Sequence, residues 1–261
     1  MRDFDVSLLC DFYEFTMGNG YFRSGKKDVS VCFDLYFRKV PDDGGFAIAA
    51  GLGSVIDYLD SLHFSSEDIS FLRSKGIFCE EFLAYLENFR FACDVYAVEE
   101  GTPVFPNEPL VVVQGPAIQA QLLETMLLLL VNHQTLIATK ANRICRAAAG
   151  RPVFEFGSRR AQGTYAAVLG ARAAYIGGCS GTACAVCEKM YGIPAVGTMA
   201  HSWIQMYDDE LTAFCEYARF YPDNCIFLVD TYNVLRSGIL NAVKAYETVL
   251  KPMGKRLKGI R

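Results

Sequence analysis

From Gly150-Arg151-Pro152 onward the chain alternates between short apolar runs and helical stretches. The runs are Val153-Phe154-Glu155-Phe156, Ala173-Ala174-Tyr175-Ile176, Ala195-Val196-Gly197-Thr198 and Ile226-Phe227-Leu228-Val229. Helical patterns cover roughly 161–169, 182–191, 204–221 and 238–250. Strands separated by helices pair in parallel, because each crossover helix returns the chain to the same sheet edge. The spacing suits a β/α barrel, whose functional loops follow the strands. Four βα units are complete, and Lys255-Arg256-Leu257-Lys258-Gly259-Ile260-Arg261 reads as the start of a fifth. Closing a barrel takes about eight strands. The expected fold class is therefore α/β, a partial β/α barrel over 116–261 behind an α+β domain at 1–115.

The upstream part supports that division. Residues 8–17 read as a helix with apolar side chains on nearly every face, which calls for burial, within the chain or between subunits. Val29 to Phe37 alternates as a strand, 54–62, 66–74 and 79–88 look helical, and 94–99 and 109–114 read as strands. Pro116 marks the boundary, and 117–149 is helical without an interior proline or glycine. A chain of 261 residues with 52% hydrophobic content has enough apolar surface for a sizeable core. Its net charge of -4 offers nothing to attract a nucleic acid or an anionic membrane. The first ten residues do not pattern as a secretory leader. The apolar run Leu122 to Val131, interrupted by Glu124, is too short for a membrane span. A soluble, cytoplasmic protein is expected. Most of the ten cysteines sit in apolar segments, as reduced thiols do. Cys184-Ala185-Val186-Cys187 has no second pair at a zinc spacing and reads as packing.

Three strand ends carry chemistry. Glu155-Phe156-Gly157-Ser158-Arg159-Arg160-Ala161 places two arginines at a turn into a helix. Guanidinium forks and free helix N–H groups suit a phosphate or carboxylate; a solvated arginine beside a structural ion pair is the alternative. Phe156 either stacks on a flat heteroaromatic ring or caps the core. Gly177-Gly178-Cys179-Ser180-Gly181-Thr182 either cradles a phosphate, through Gly181 and Thr182, or is a tight connection capped by Ser180. In Gly197-Thr198-Met199-Ala200-His201-Ser202, the neutral pKa of His201 suits proton transfer, phosphate contact or transient phosphorylation. Asp230 orients a ribose hydroxyl or a hydrated Mg²⁺, or else it or Thr231 caps a helix. His63 reads as a surface residue and His133 as buried in a helix.

The segments 155–161 and 197–202, with Asp11-Phe12-Tyr13-Glu14-Phe15-Thr16-Met17 near the start, resemble nicotinate phosphoribosyltransferase over essentially the whole chain. The resemblance implies a type II phosphoribosyltransferase-like barrel that closes incompletely, and a head-to-tail homodimer with shared sites. It implies that nicotinate and phosphoribosyl diphosphate are joined, with Mg²⁺ present and ATP as co-substrate, at the entry to NAD salvage. By the same resemblance His201 is phosphorylated, Phe156 stacks on the pyridine ring, and Tyr13 covers its other face from the neighbouring subunit. Arg159 lies near the ring and the phosphoribosyl group, and Arg261 matches an arginine that precedes an acidic loop. That loop, the later glycine-rich phosphate loops and a returning segment of the small domain do not follow. The expectation is an N-terminal part with little transferase activity by itself. Ala183 stands where the related nicotinamide enzyme carries a carboxylate, which favours nicotinate. The alternatives are a nicotinamide or quinolinate phosphoribosyltransferase, or a non-catalytic split half that pairs with another chain through exposed barrel edges.

Overall fold

The computed structural model describes residues 5–261. Met1 to Phe4, part of the segment read above for a leader, lie outside the described residues. The chain divides into two compact units, one up to Ala195 and one from Val196 to Arg261. The boundary expected at Pro116 falls inside the first unit. Ile118, Leu123 and Val131, which follow that proline, belong to the same core as the strands before it.

In the first unit, helix α1 (Phe12–Arg23) starts with a capping box in which Asp11 and Glu14 satisfy each other's backbone N–H groups. Strand β1 (Ser30–Tyr36) precedes β2 (Ala47–Ile48), α2 (Leu52–Ser61), α3 (Ser66–Ser74) and α4 (Glu80–Glu87). Then come β3 (Asp94–Ala97), β4 (Pro103–Val104) and β5 (Pro109–Pro116). Strand β5 is the centre of an antiparallel sheet ordered β1-β5-β3. Ser30 pairs with Pro116 at one end and Asp94 with Gln114 on the other side. Phe82, Leu83, Leu86 and Phe89 from the helices pack with Leu110, Val111 and Val113 of β5.

Short α5 (Ala117–Gln121) leads into α6 (Glu124–Ala147). Together the 31 residues Ala117–Ala147 are long and apolar enough to cross a bilayer by length and composition, but half of the apolar window is buried in the protein's own core. Two threonines on α6 replace strand partners for β2. Thr139 Oγ1 accepts the Ile48 N–H at 2.9 Å. Thr135 Oγ1 accepts the Ala50 N–H at 3.1 Å and donates to the Ala50 carbonyl at 3.0 Å. Buried backbone groups at the end of a two-residue strand are thereby satisfied.

Strand β6 (Phe154–Glu155) is followed by α7 (Thr164–Ile176), β7 (Gly181–Thr182) and α8 (Ala185–Tyr191). β6 and β7 pair in parallel, and Thr182 bridges in parallel to Ala195. The parallel arrangement is as expected, but Ala195 to Thr198 contributes only the bridge at Ala195 instead of a strand, and another strand is displaced. Ala173 to Ile176 is the last turn of α7, and the strand is Gly181–Thr182. Alanine favours helix, and the small buried face Gly170, Ala171, Ala173 and Ala174 lets α7 lie close against α6. Gly177 ends that contact, where a Cβ would sit 2.4 Å from the Ala138 carbonyl oxygen.

The second unit contains α9 (His201–Gln205), α10 (Glu210–Phe220), β8 (Ile226–Phe227), α11 (Ile239–Ala245) and β9 (Gly259–Ile260). The single helix expected over 204–221 is broken at Met206 to Asp209. The Asp209 carboxylate caps α10 by accepting the Thr212 N–H at 2.9 Å, and this local bond outcompetes helix continuation. The expected start of a fifth strand is present as β9, parallel to β8. Two π-helical turns, Val234–Gly238 and Tyr246–Leu250, flank α11. A Cβ on Gly238 would lie 2.0 Å from the Val229 carbonyl oxygen, so only glycine fits there. Phe214 and Phe227 stack with centroids 4.7 Å apart at the core of this unit.

Candidate functional site

In the first unit the carboxyl ends of β6 and β7 lie side by side, and Glu155 organises them. Its Oε2 accepts the Thr182 hydroxyl at 2.6 Å, and its Oε1 accepts the N–H of Gly157. The Ala183 N–H donates to the Glu155 carbonyl at 2.8 Å. One carboxylate therefore closes the turn after β6 and ties it to β7. The turn runs on as a 3-10 segment, Ser158–Arg160, with the Arg160 N–H on the Gly157 carbonyl at 2.8 Å. Phe156, 42% exposed, and both arginines face solvent. Neither Arg159 nor Arg160 forms an ion pair among the described residues. The Ser158 Oγ is buried with no hydrogen-bond partner among the described residues.

Gly181 and Thr182 lie elsewhere than expected. Both are buried inside β7, and the Thr182 hydroxyl is committed to Glu155 while accepting the Cys184 N–H at 3.0 Å. The glycine-rich segment enters β7 at its amino end instead of leaving a strand at its carboxyl end. It closes on α7 through Gly178 N–H to Tyr175 O and Cys179 N–H to Ala174 O, both at 3.0 Å. The phosphate-cradle reading is corrected accordingly: Thr182 acts through Glu155. Ala183 is exposed at the carboxyl edge of β7.

Tyr13 lies in the first turn of α1 with its ring 40% exposed. Its hydroxyl is hydrogen-bonded to Glu124, and this bond, together with burial and neighbouring carboxylates, pushes the phenol pKa up. Glu124 also accepts from Gln121 Nε2 at 2.8 Å. Next to it Glu14 is fully buried, with Oε1 taking the Thr125 hydroxyl at 2.6 Å and Oε2 without a partner among the described residues. Burial raises the Glu14 carboxyl despite the Thr125 bonds.

In the second unit His201 opens α9. Its Nδ1 is 3.2 Å from Thr231 Oγ1 and its Nε2 is 3.8 Å from Asp230 Oδ1. Arg261 continues the β9 pairing, its N–H on the Phe227 carbonyl at 2.8 Å and its carbonyl accepting the Val229 N–H at 3.0 Å. The Arg261 Nη1 donates to Thr198 Oγ1 at 3.0 Å. His201, Asp230 and Arg261 are thus all brought to the carboxyl edge of β8 and β9. Asp230 and Thr231 are not helix caps; Asn233 takes that role, accepting the Arg236 N–H at 2.8 Å. Thr231 enters the sequence reading only as a cap, and Thr198 and Glu155 only as members of their segments, with no role of their own. For Glu155 the signal was present, a carboxylate directly before an aromatic-glycine turn. Of the remaining histidines, His63 is exposed near Asp5, and His133 is partly buried in α6 beside the Ala166 carbonyl. Cys187 is fully buried, and no cluster of three metal-binding side chains exists among the described residues.

Residues 8–132 match the nicotinate phosphoribosyltransferase (NAPRTase) N-terminal domain. Nicotinate phosphoribosyltransferase pncB2 of Mycobacterium tuberculosis is 45% identical over 230 residues, 88% of this chain and 49% of that protein. The chain belongs to the nicotinate phosphoribosyltransferase family. The nicotinate phosphoribosyltransferase of Bacillus subtilis is 44% identical over 262 residues, 100% of this chain and 52% of the relative. In structure, human nicotinic acid phosphoribosyltransferase matches with a TM-score of 0.87 at 31% identity, over 97% of this chain and 60% of that one. Nicotinate-nucleotide pyrophosphorylase from Pyrococcus furiosus matches with a TM-score of 0.77 at 26% identity, over 100% and 59%. The α/β fold is thus shared with the family. The chain spans about half the length of the curated relatives it matches.

Proposed function

We propose that this chain serves nicotinate phosphoribosyl transfer. Nicotinate displaces diphosphate from 5-phosphoribosyl 1-diphosphate, giving nicotinate mononucleotide at the entry to NAD salvage, with ATP hydrolysis coupled through His201. The observation that carries the reading is the loop after β6. A carboxylate locked to Thr182 holds a solvent-facing phenylalanine and two solvent-facing arginines at the end of a parallel strand.

Each role follows from the chemistry of its group. Phe156 offers a flat face to the pyridine ring. Arg159 and Arg160 balance negative charge on the phosphoribosyl and diphosphate groups as the glycosidic bond breaks. Ala183 itself brings no carboxylate to the β7 edge to repel nicotinate, and the Glu155 carboxylate there is engaged by Thr182 and Gly157. His201 accepts a phosphoryl group on a ring nitrogen, and Asp230 beside Nε2 offsets the positive charge of the ring. Asp230, 3.8 Å from His201 Nε2, is a carboxylate that would help to hold a Mg²⁺ ion there. Such an ion neutralises the leaving group. The reading extends to a partial β/α barrel, a homodimer in which Tyr13 covers the ring of the neighbouring subunit's substrate, and a cytoplasmic location.

The test supplies radiolabelled nicotinate, phosphoribosyl diphosphate, ATP and Mg²⁺, with unlabelled nicotinamide or quinolinate as competitor. Labelled nicotinate bound by the folded chain, and converted to the mononucleotide where the chain stands within its longer protein, that is lost in R159A and indifferent to nicotinamide supports the reading. Folded protein that neither binds nor converts nicotinate sinks it.

A further inference from the structure

Two thiols outside the proposed site approach each other closely. Cys145 lies near the end of α6 and Cys179 in the segment between α7 and β7, with their sulfurs 4.0 Å apart. A disulfide needs about 2.05 Å between sulfurs, a gap that side-chain rotation from contact distance closes when the backbones are already near. They are near here. The Asn142 amide donates to the Gly177 carbonyl at 3.3 Å. Gly178 has a φ of +110°, and a Cβ on it would lie 3.6 Å from the Cys145 Cβ. The glycine pair thus presses the segment onto α6 at the turn that carries Cys145.

We propose that Cys145 and Cys179 form a reversible disulfide when the protein meets a hydroperoxide. Cys145 is half-buried and Cys179 buried, so the oxidant reaches Cys145 first. Its thiolate sulfur attacks one peroxide oxygen; an S–O bond forms, the O–O bond breaks, and the leaving oxygen takes up protons as water. The Cys179 sulfur then attacks the Cys145 sulfur; the S–S bond forms, the S–O bond breaks, and hydroxide leaves with the Cys179 proton as a second water. The two sulfurs together lose two electrons and the peroxide gains them. Burial, and then the adjacent Cys145, push the Cys179 thiol up to about 12, which keeps it protonated and leaves the first attack on the peroxide to Cys145. Cys187, by contrast, is fully buried and its thiol is engaged by the Val168 carbonyl at 3.6 Å.

The bridge would fasten α6 to the segment that feeds β7, whose Thr182 holds Glu155. The experiment treats the native full chain with equimolar hydrogen peroxide, blocks remaining thiols under denaturing conditions, and maps peptides without reduction. The expected result is a peptide pair joined through Cys145 and Cys179, two hydrogens lighter than the reduced pair and separated again by dithiothreitol. In C179A, dimedone should instead trap a sulfenic acid at Cys145. The proposal is overturned if both residues carry the blocking label after oxidation, if the bridge forms only in denatured protein, or if oxidation joins Cys184 to Cys187 and leaves this pair reduced. The mapping of the unmutated chain decides even where C179A fails to fold.

Discussion

Glu155 was part of a recognisable string in the sequence, yet its role was not. The arginines and Phe156 announce themselves by type, because exposed guanidinium pairs and an aromatic at a glycine turn are chemically conspicuous. A carboxylate with one oxygen on the neighbouring strand and the other on the turn that follows its own is recognised only once the strands are paired. T182V should remove the hydroxyl and leave Oε2 without its donor, costing about 1–3 kcal/mol of stability in urea denaturation. It should also raise the Kd for nicotinate, because the loop loses its setting while Phe156 and the arginines remain. An unchanged Kd with unchanged stability would show that the bond does not shape the loop. Tyr13 gives a second check. Its phenol, raised chiefly by the Glu124 hydrogen bond, should ionise at lower pH in E124A, and a ¹³C-tyrosine NMR titration that follows the Tyr13 resonance among the fourteen tyrosines reads that shift. A titration identical in both proteins would mean that Glu124 does not hold the ring.

Among the elements, α2, α6 and α7 meet at one partly buried ion pair. Arg172 on α7 grips Glu100 with two bonds of 2.8 and 2.6 Å, and also reaches Gln134 on α6 at 3.3 Å. Glu100 in turn takes the N–H of Gly51, the residue that caps α2, at 2.6 Å. Burial works to raise the Glu100 carboxyl, but Arg172 and the Gly51 and Gly53 N–H groups outweigh it and hold the carboxyl below its ordinary value of 4.5. The sign of the linkage follows. The stabilisation is present above pH 4.5 and is lost as the pH falls through the lower, folded-state pKa. R172M should therefore cost about 3 kcal/mol at neutral pH, by stranding the carboxylate, and much less in acid. Equal losses at pH 7 and pH 3 would contradict this account. The displaced strand belongs at this scale too. Ala173-Ala174-Tyr175-Ile176 reads as a strand by apolarity alone, and what decides for helix is the room that small residues give α7 against α6. That packing partner is over thirty residues away in sequence, so no local pattern contains it. G177A should accordingly lower stability by about 1–3 kcal/mol through the clash with the Ala138 carbonyl.

For the whole molecule, strand–helix alternation was enough to specify an α/β chain with parallel pairing, and the structure keeps it at β6–β7 and β8–β9. The place where the compact units divide was not legible. Pro116 is a conspicuous breaker, but the helices after it complete the core of the strands before it. The chain's single tryptophan, Trp203, offers a probe of one unit. It packs on Tyr207 at 5.1 Å, donates Nε1 to the Ala213 carbonyl at 3.1 Å, and touches the core of the second unit. F214A should lower the stability reported by tryptophan fluorescence by about 3–5 kcal/mol, with a smaller shift in circular dichroism, which counts every helix. Shifts of equal size would mean that the two units unfold as one.

The bond from Glu155 to Thr182 has an engineering consequence. A loop closed by its own residues can be transplanted or lengthened as a cassette. This one is keyed into the sheet beneath it, because the carboxylate that sets the Gly157 turn is itself seated on the next strand. Moving Phe156 to Arg160 alone into another β/α scaffold would carry the reactive side chains and leave their aim behind. A transplant would need the threonine on the neighbouring strand, in register, as its second half.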